Sequence, residues 1–142
     1  MNLTEIAALR DQLIAHEGLR LKPYHCTAGK LTIGCGRNLD DVGISHAEAM
    51  VLLDNDIDEV LRDLFATYPW FKSLDAIRQR AVADLRFQLG KRGLAAFGKC
   101  LAALSRHDYG TAADELVLSK WYRQVGDRGP RIVHMVRTGT QV

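Results

Sequence analysis

His16-Glu17-Gly18-Leu19-Arg20-Leu21-Lys22-Pro23-Tyr24 and, a few residues on, Thr32-Ile33-Gly34-Cys35-Gly36 decide how this chain is built. The first run ends a helix. Ahead of it, Ile6, Leu9, Leu13 and Ile14 recur at helical spacing behind Thr4, a predicted N-cap. Gly18 is a natural helix stop, so Glu17 falls in the last turn. The segment from Tyr24 to Leu39 is rich in Thr and Gly and poor in helix formers. Thr27-Ala28-Gly29-Lys30 reads as a turn and Leu31 to Ile33 as a strand, with Thr32 on the face opposite its neighbours. A small β-hairpin or three-stranded sheet is expected here.

Beyond the sheet the pattern turns helical. Ser45 and Glu48 form a capping box. Behind it Ala49, Leu53, Ile57, Val60 and Leu64 make one apolar stripe, which predicts a helix from about His46 to Ala66. Further helices are expected over Leu74–Leu89, closed by Gly90, then Leu94–Ser105, Thr111–Leu118 and near Arg128–Arg137. This order predicts an α+β chain with its sheet segregated to one lobe. The expected organisation is one domain over 1–142: a small β lobe at about 17–44, a linking helix at about 45–66, and a helical lobe at about 67–142 that also takes the N-terminal helix. A cleft between lobes is the default ligand site.

Composition narrows the function classes. The 142 residues are 47% hydrophobic and 25% charged, an ordinary globular balance. A net charge of +2 is too weak to argue for nucleic acid. Arg123, Arg128, Arg131 and Arg137 face only Asp127, a basic stretch that suits an anionic polymer or simply a solvated helix face. Cys26, Cys35 and Cys100 are an odd, widely spaced set, neither a disulfide framework nor a zinc signature. Met1 to Arg10 lacks the pattern of a signal peptide, and no apolar run approaches membrane-spanning length. Synthesis in a reducing cytoplasm is expected, as is a monomer, with no metal and no cofactor.

Glu17 is the first candidate for chemistry. The negative end of the helix dipole disfavours ionisation of a carboxyl held there, which suits a general acid. Eight residues separate Glu17 from Cys26, and five separate Cys26 from Thr32. A helix end and the following hairpin can bring all three to one point. Inverting glycosidases need an acid on one side of the anomeric carbon and a base or placed water on the other. His25-Cys26 does not read as a nucleophile dyad, because neighbours in a strand point to opposite faces. Trp70, Trp121 and Tyr122 read as core rather than sugar platforms.

The two opening runs resemble the active-site segment of T4-type phage lysozymes, glycoside hydrolase family 24. The resemblance continues, in order, through Ser73-Leu74-Asp75-Ala76, Phe87-Gln88-Leu89-Gly90, Ser119-Lys120-Trp121-Tyr122 and Arg137-Thr138-Gly139-Thr140. It implies a lysozyme-like fold and an endolysin that cuts the β-1,4 bond between N-acetylmuramic acid and N-acetylglucosamine in peptidoglycan. It implies release to the wall through a holin. Glu17 then matches the general acid and Thr32 the threonine that places the attacking water. Cys26 stands where most members have aspartate. Phe87 and Gln88 match residues lining the sugar cleft, and Lys120 stands where arginine is common. Arg128 matches an arginine that pairs with the catalytic glutamate. The segment from Arg37 to Ile44 is shorter than in the T4 pattern, and Cys100 and Glu115 replace small or amide residues that touch sugar. Two other functions stay open: a lytic transglycosylase on the same bond, which needs no second carboxylate, and a wall-binding module without catalysis.

Overall fold

The computed structural model describes residues 1–141. Its elements are α1 (Leu3–Glu17), β1 (Arg20–His25), β2 (Leu31–Gly34), β3 (Arg37–Asn38), α2 (His46–Thr67), a 3-10 turn (Phe71–Ser73), α3 (Ala76–Ala95), α4 (Gly98–Ser105), α5 (Tyr109–Val117), α6 (Lys120–Gln124) and α7 (Arg128–Thr138). Helices dominate and one three-stranded sheet accompanies them, the α+β class expected from the sequence. The chain divides into two compact units, Met1–Val51 and a second from Leu52 onward, so α2 runs through the division and α1 counts with the first unit.

In the first unit, α1 begins two residues earlier than Thr4 predicts. Asn2 is the N-cap: its side chain accepts from the Glu5 amide at 2.9 Å, and Glu5 accepts from the Asn2 amide at 3.0 Å. Gly18, at φ 78°, ends the helix by donating its N–H to the Ile14 carbonyl. The sheet is antiparallel in the order β1-β2-β3. Thr32 sits on the central strand, opposite Tyr24 on one side and Asn38 on the other. The loop after β3 is pinned by Asp40, which accepts from the Leu31 amide at 2.7 Å. It is pinned again by Arg37, which donates to the Gly43 carbonyl and to Glu48. The Ser45–Glu48 capping box forms as the sequence predicts, at 2.9 and 3.1 Å.

The second unit holds the core. Val60 and Leu64 of α2 pack with Phe71, Leu74, Val82, Leu85, Leu104, Leu116, Trp121 and Val136. Among the described residues, Thr32 is the one buried residue before Val60. Leu53 and Ile57, on the stripe that predicts burial, are 36% and 42% exposed. Gly90 breaks α3 as expected, at φ 73° and ψ 178°. The helix expected over Leu94–Ser105 is interrupted at Ala96 and Phe97, where Phe97 leaves helical geometry and α4 starts afresh. Thr111 is not a start, since Asp108 caps α5 two residues earlier. The short α6, capped by Ser119, has no counterpart in the periodicity. Arg86 is a charge inside the apolar face of α3. Its Nε donates to Asp63 at 2.6 Å and its guanidinium also reaches Glu59 at 2.8 Å, so the buried cation is paired.

Candidate active site

The first unit contains all three residues predicted to do chemistry. Glu17 is the last residue of α1 and is exposed. Its side chain lies against the turn between β2 and β3. A methyl group at Gly36 would sit 3.2 Å from Glu17 Oε2 and 3.6 Å from its Cβ and Cδ. Gly36 has φ +70°, a left-handed conformation that glycine adopts without strain. The turn thus needs glycine twice over, for its backbone and for the room Glu17 takes.

Cys26 opens the turn after β1. Its amide donates to the Lys30 carbonyl at 2.9 Å, and its carbonyl accepts from Gly29 at 2.8 Å. This folds the turn back over the sulfur. The Lys30 backbone, and next the Ala28 backbone, hydrogen-bond the thiol and hold its pKa below the ordinary 9.0. Three residues of turn backbone do what a helix end would do. The thiol is half-buried and Cys35 is exposed. Thr32 is 3% exposed, and its hydroxyl donates to the Lys30 carbonyl at 2.8 Å. That spends its one proton, so its help to the Cys26 sulfur is minor, and its lone pairs remain free to accept. A carboxyl, a thiol of lowered pKa and a buried hydroxyl are the parts of an acid, a base and a water holder.

The second unit carries the four residues predicted to bind substrate, and it spreads them over two cavities. Gln88 and Lys120 line one of about 820 Å³. Phe87 and Arg128 line another of about 520 Å³, whose wall is largely apolar. Phe87 is 48% exposed. Trp121 is core, as expected: it is 5% exposed, stacks edge-on against Phe97 and donates its indole N–H to Gln88 Oε1 at 2.9 Å. Arg128 has a partner that the sequence reading did not name. Its Nε and Nη2 both donate to Asp84 Oδ1, at 2.8 and 2.6 Å. Glu115 lines the larger cavity beside the buried Cys100. Among the described residues no cluster of His, Cys, Asp or Glu could hold a metal ion. No helix among them is long and apolar enough to cross a membrane.

The family model of phage lysozyme matches residues 14–137. A probable T4-type lysozyme of Dictyostelium discoideum is 25% identical, covering 95% of this chain and 96% of its own. A SAR-endolysin of Escherichia phage Mu is 32% identical over 84% of this chain and 68% of its own. A pre-baseplate central spike protein of Enterobacteria phage T4 is 28% identical over 93% of this chain, which corresponds to 28% of that longer protein.

Proposed function

Since the chain belongs to the phage lysozyme family and is a glycoside hydrolase of the lysozyme type, we propose that it cuts the β-1,4 bond between N-acetylmuramic acid and N-acetylglucosamine, with Glu17 as proton donor. The observation that carries this reading is the placement of Glu17 at the end of α1 against Gly36, in the same compact unit as Cys26 and Thr32. Glu17 gives its proton to the glycosidic oxygen as the bond to the anomeric carbon breaks. A water held by Thr32 attacks that carbon from the opposite face and passes a proton to the Cys26 thiolate. The lowered pKa of Cys26 supports a base in that place. The product is the inverted anomer. Phe87, Gln88, Lys120 and Arg128 hold the glycan.

In this reading the enzyme is an endolysin, made in the host cytoplasm as a monomer and reaching the wall once a holin opens the inner membrane. Glu17→Gln tests the chemistry. Removing a general acid costs roughly 10²–10⁴ in rate, so release of reducing ends from purified peptidoglycan falls by that factor while the thermal unfolding curve holds. A variant that works at the parent rate would refute the assignment. Mass spectrometry of the same digest checks the reaction class, because a transglycosylase product is lighter by one water.

A further inference from the structure

One peptide in the first unit carries both Cys26 and Thr32. The carbonyl of Lys30 accepts from the Cys26 amide at 2.9 Å and from the Thr32 hydroxyl at 2.8 Å. The N–H of the same peptide plane belongs to Leu31, and it donates to Asp40 Oδ2 at 2.7 Å. The Leu39 amide joins the loop after β3 to this point a second time, donating to the Leu31 carbonyl at 2.7 Å. Asp40 is exposed, whereas Thr32 is buried. The neighbouring Asp41 has other partners, the Lys30 ammonium at 3.2 Å and the Asn38 side-chain amide at 2.9 Å. The two adjacent acids thus do different things: Asp41 ties side chains, and Asp40 ties the peptide.

We propose that Asp40 is a positioning residue for the hydrolysis, holding Cys26 and Thr32 in register through the Lys30–Leu31 peptide. A peptide plane is rigid, so fixing its N–H fixes the direction of its carbonyl. That carbonyl takes the Thr32 proton, which sets where the hydroxyl lone pairs point. It also holds the Cys26 amide, and with it the Cα from which the thiol projects. An N–H bonded to a carboxylate oxygen polarises its own peptide, which strengthens both bonds to the carbonyl. The Lys30 backbone is also first among the groups that hold the Cys26 pKa down, so a slack peptide would loosen that hold as well. Without Asp40, the amide of the half-buried Leu31 would turn to water, which fixes no direction. The inference rests on the reading of Cys26 as base and Thr32 as water holder, and it gives the loop after β3 a part in the chemistry.

Asp40→Ala, Asp40→Asn and Asp41→Ala, each made in the full chain on a Cys35→Ser background, test it. Two quantities are read: the pH midpoint of Cys26 alkylation by iodoacetamide, and the rate of reducing-end release from purified peptidoglycan. Cys100 is buried and stays silent. Asp40→Ala should move the midpoint up toward 9.0 and slow cleavage about tenfold, the cost of roughly half an ångström of misalignment. Asp40→Asn keeps an acceptor oxygen in the same place and should recover most of both. Asp41→Ala breaks the exposed pair with Lys30 and leaves the peptide held, so both readings should stay near the parent's. Thermal unfolding curves set a temperature at which every variant is folded. An Asp40→Ala chain with the parental midpoint or, where the parent cuts, the parental rate would overturn the proposal. So would an Asp41→Ala chain that loses as much, or an Asp40→Asn chain that recovers nothing. If the parent cuts no strand while the midpoint still follows Asp40, the hydrolase reading falls and the hold on Cys26 stands.

Discussion

Gly36→Ala and Gly34→Ala form a matched pair that isolates the positioning of Glu17. Both glycines have a left-handed backbone, at φ +70° and +69°. Alanine there costs about 1–2 kcal/mol in backbone strain, which lowers Tm by roughly 3–10 °C in a chain of this size. That penalty is common to the two. The surroundings differ: a methyl at Gly34 meets nothing within 4 Å, whereas one at Gly36 lies 3.2 Å from Glu17 Oε2. The carboxylate must retreat by a few tenths of an ångström. If a 1 Å misplacement costs on the order of a hundredfold, such a shift costs roughly three- to tenfold. The assay is the rate of reducing-end release, taken well below both Tm values so that the folded fractions match. Gly36→Ala should lose that factor and Gly34→Ala should stay near the parent. Equal activity in the two variants would refute the idea that this turn sets where Glu17 stands.

Three other outcomes are expected. In a Cys35→Ser background, alkylation of Cys26 should follow a pH curve with its midpoint below the ordinary thiol value of 9.0 and abolish activity, while Cys100, pushed up to about 12, stays unlabelled at neutral pH; a midpoint at or above the ordinary value would mean the turn backbone does not hold the thiolate. Glu48, held down from 4.5 to about 2 by Arg37 and then by Ser45, contributes stability that is complete above pH 4.5 and is lost as pH falls through about 2, so Glu48→Gln should flatten the acid limb of a Tm-against-pH curve in that window, and an unchanged limb would count against the pair. Asp63→Ala removes the Nε partner of the buried Arg86 and should cost about 3 kcal/mol in urea unfolding, the lower end for a broken buried pair because Glu59 keeps one guanidinium nitrogen; a loss within error of zero would show the network to be solvent-relaxed.

Local signals were readable in the sequence where one residue decides the outcome. Gly18, Gly90 and the Ser45–Glu48 box end or begin helices where the structure has them. Asn2 was missed although Asn2 and Glu5 carry the same capping signal as Ser45 and Glu48, because Thr4 offered a hydroxyl nearer the apolar stripe. The interruption at Phe97 and the five-residue α6 were not legible, since apolar periodicity runs on through the first and is too short to register in the second. At the candidate site, Glu17, Cys26 and Thr32 are expectations from spacing and from resemblance, and all three lie in the first unit. What spacing cannot reveal is a partner far along the chain. Asp84 is 44 residues from Arg128 and Asp63 is 23 from Arg86. The lowered pKa of the Cys26 thiol was not legible for a different reason: its cause is backbone N–H direction in a turn, which side-chain identity does not encode.

The distribution of burial has a consequence for motion. All the buried hydrophobic residues among those described lie at Val60 or later, and the sheet contributes one buried side chain, a threonine. Free energy of local opening follows buried apolar contact, so amide hydrogens of β1, β2 and β3 should exchange with solvent at a free energy well below that of global unfolding, while those of α3 and α5 exchange near it. The residues assigned to chemistry therefore sit on the part of the chain that opens most easily. A glycan strand that binds only the closed sheet would slow that exchange in proportion to its concentration over its Kd. Protection of the sheet amides thus becomes a direct gauge of occupancy, one that reads binding even in a Glu17→Gln chain that no longer cuts.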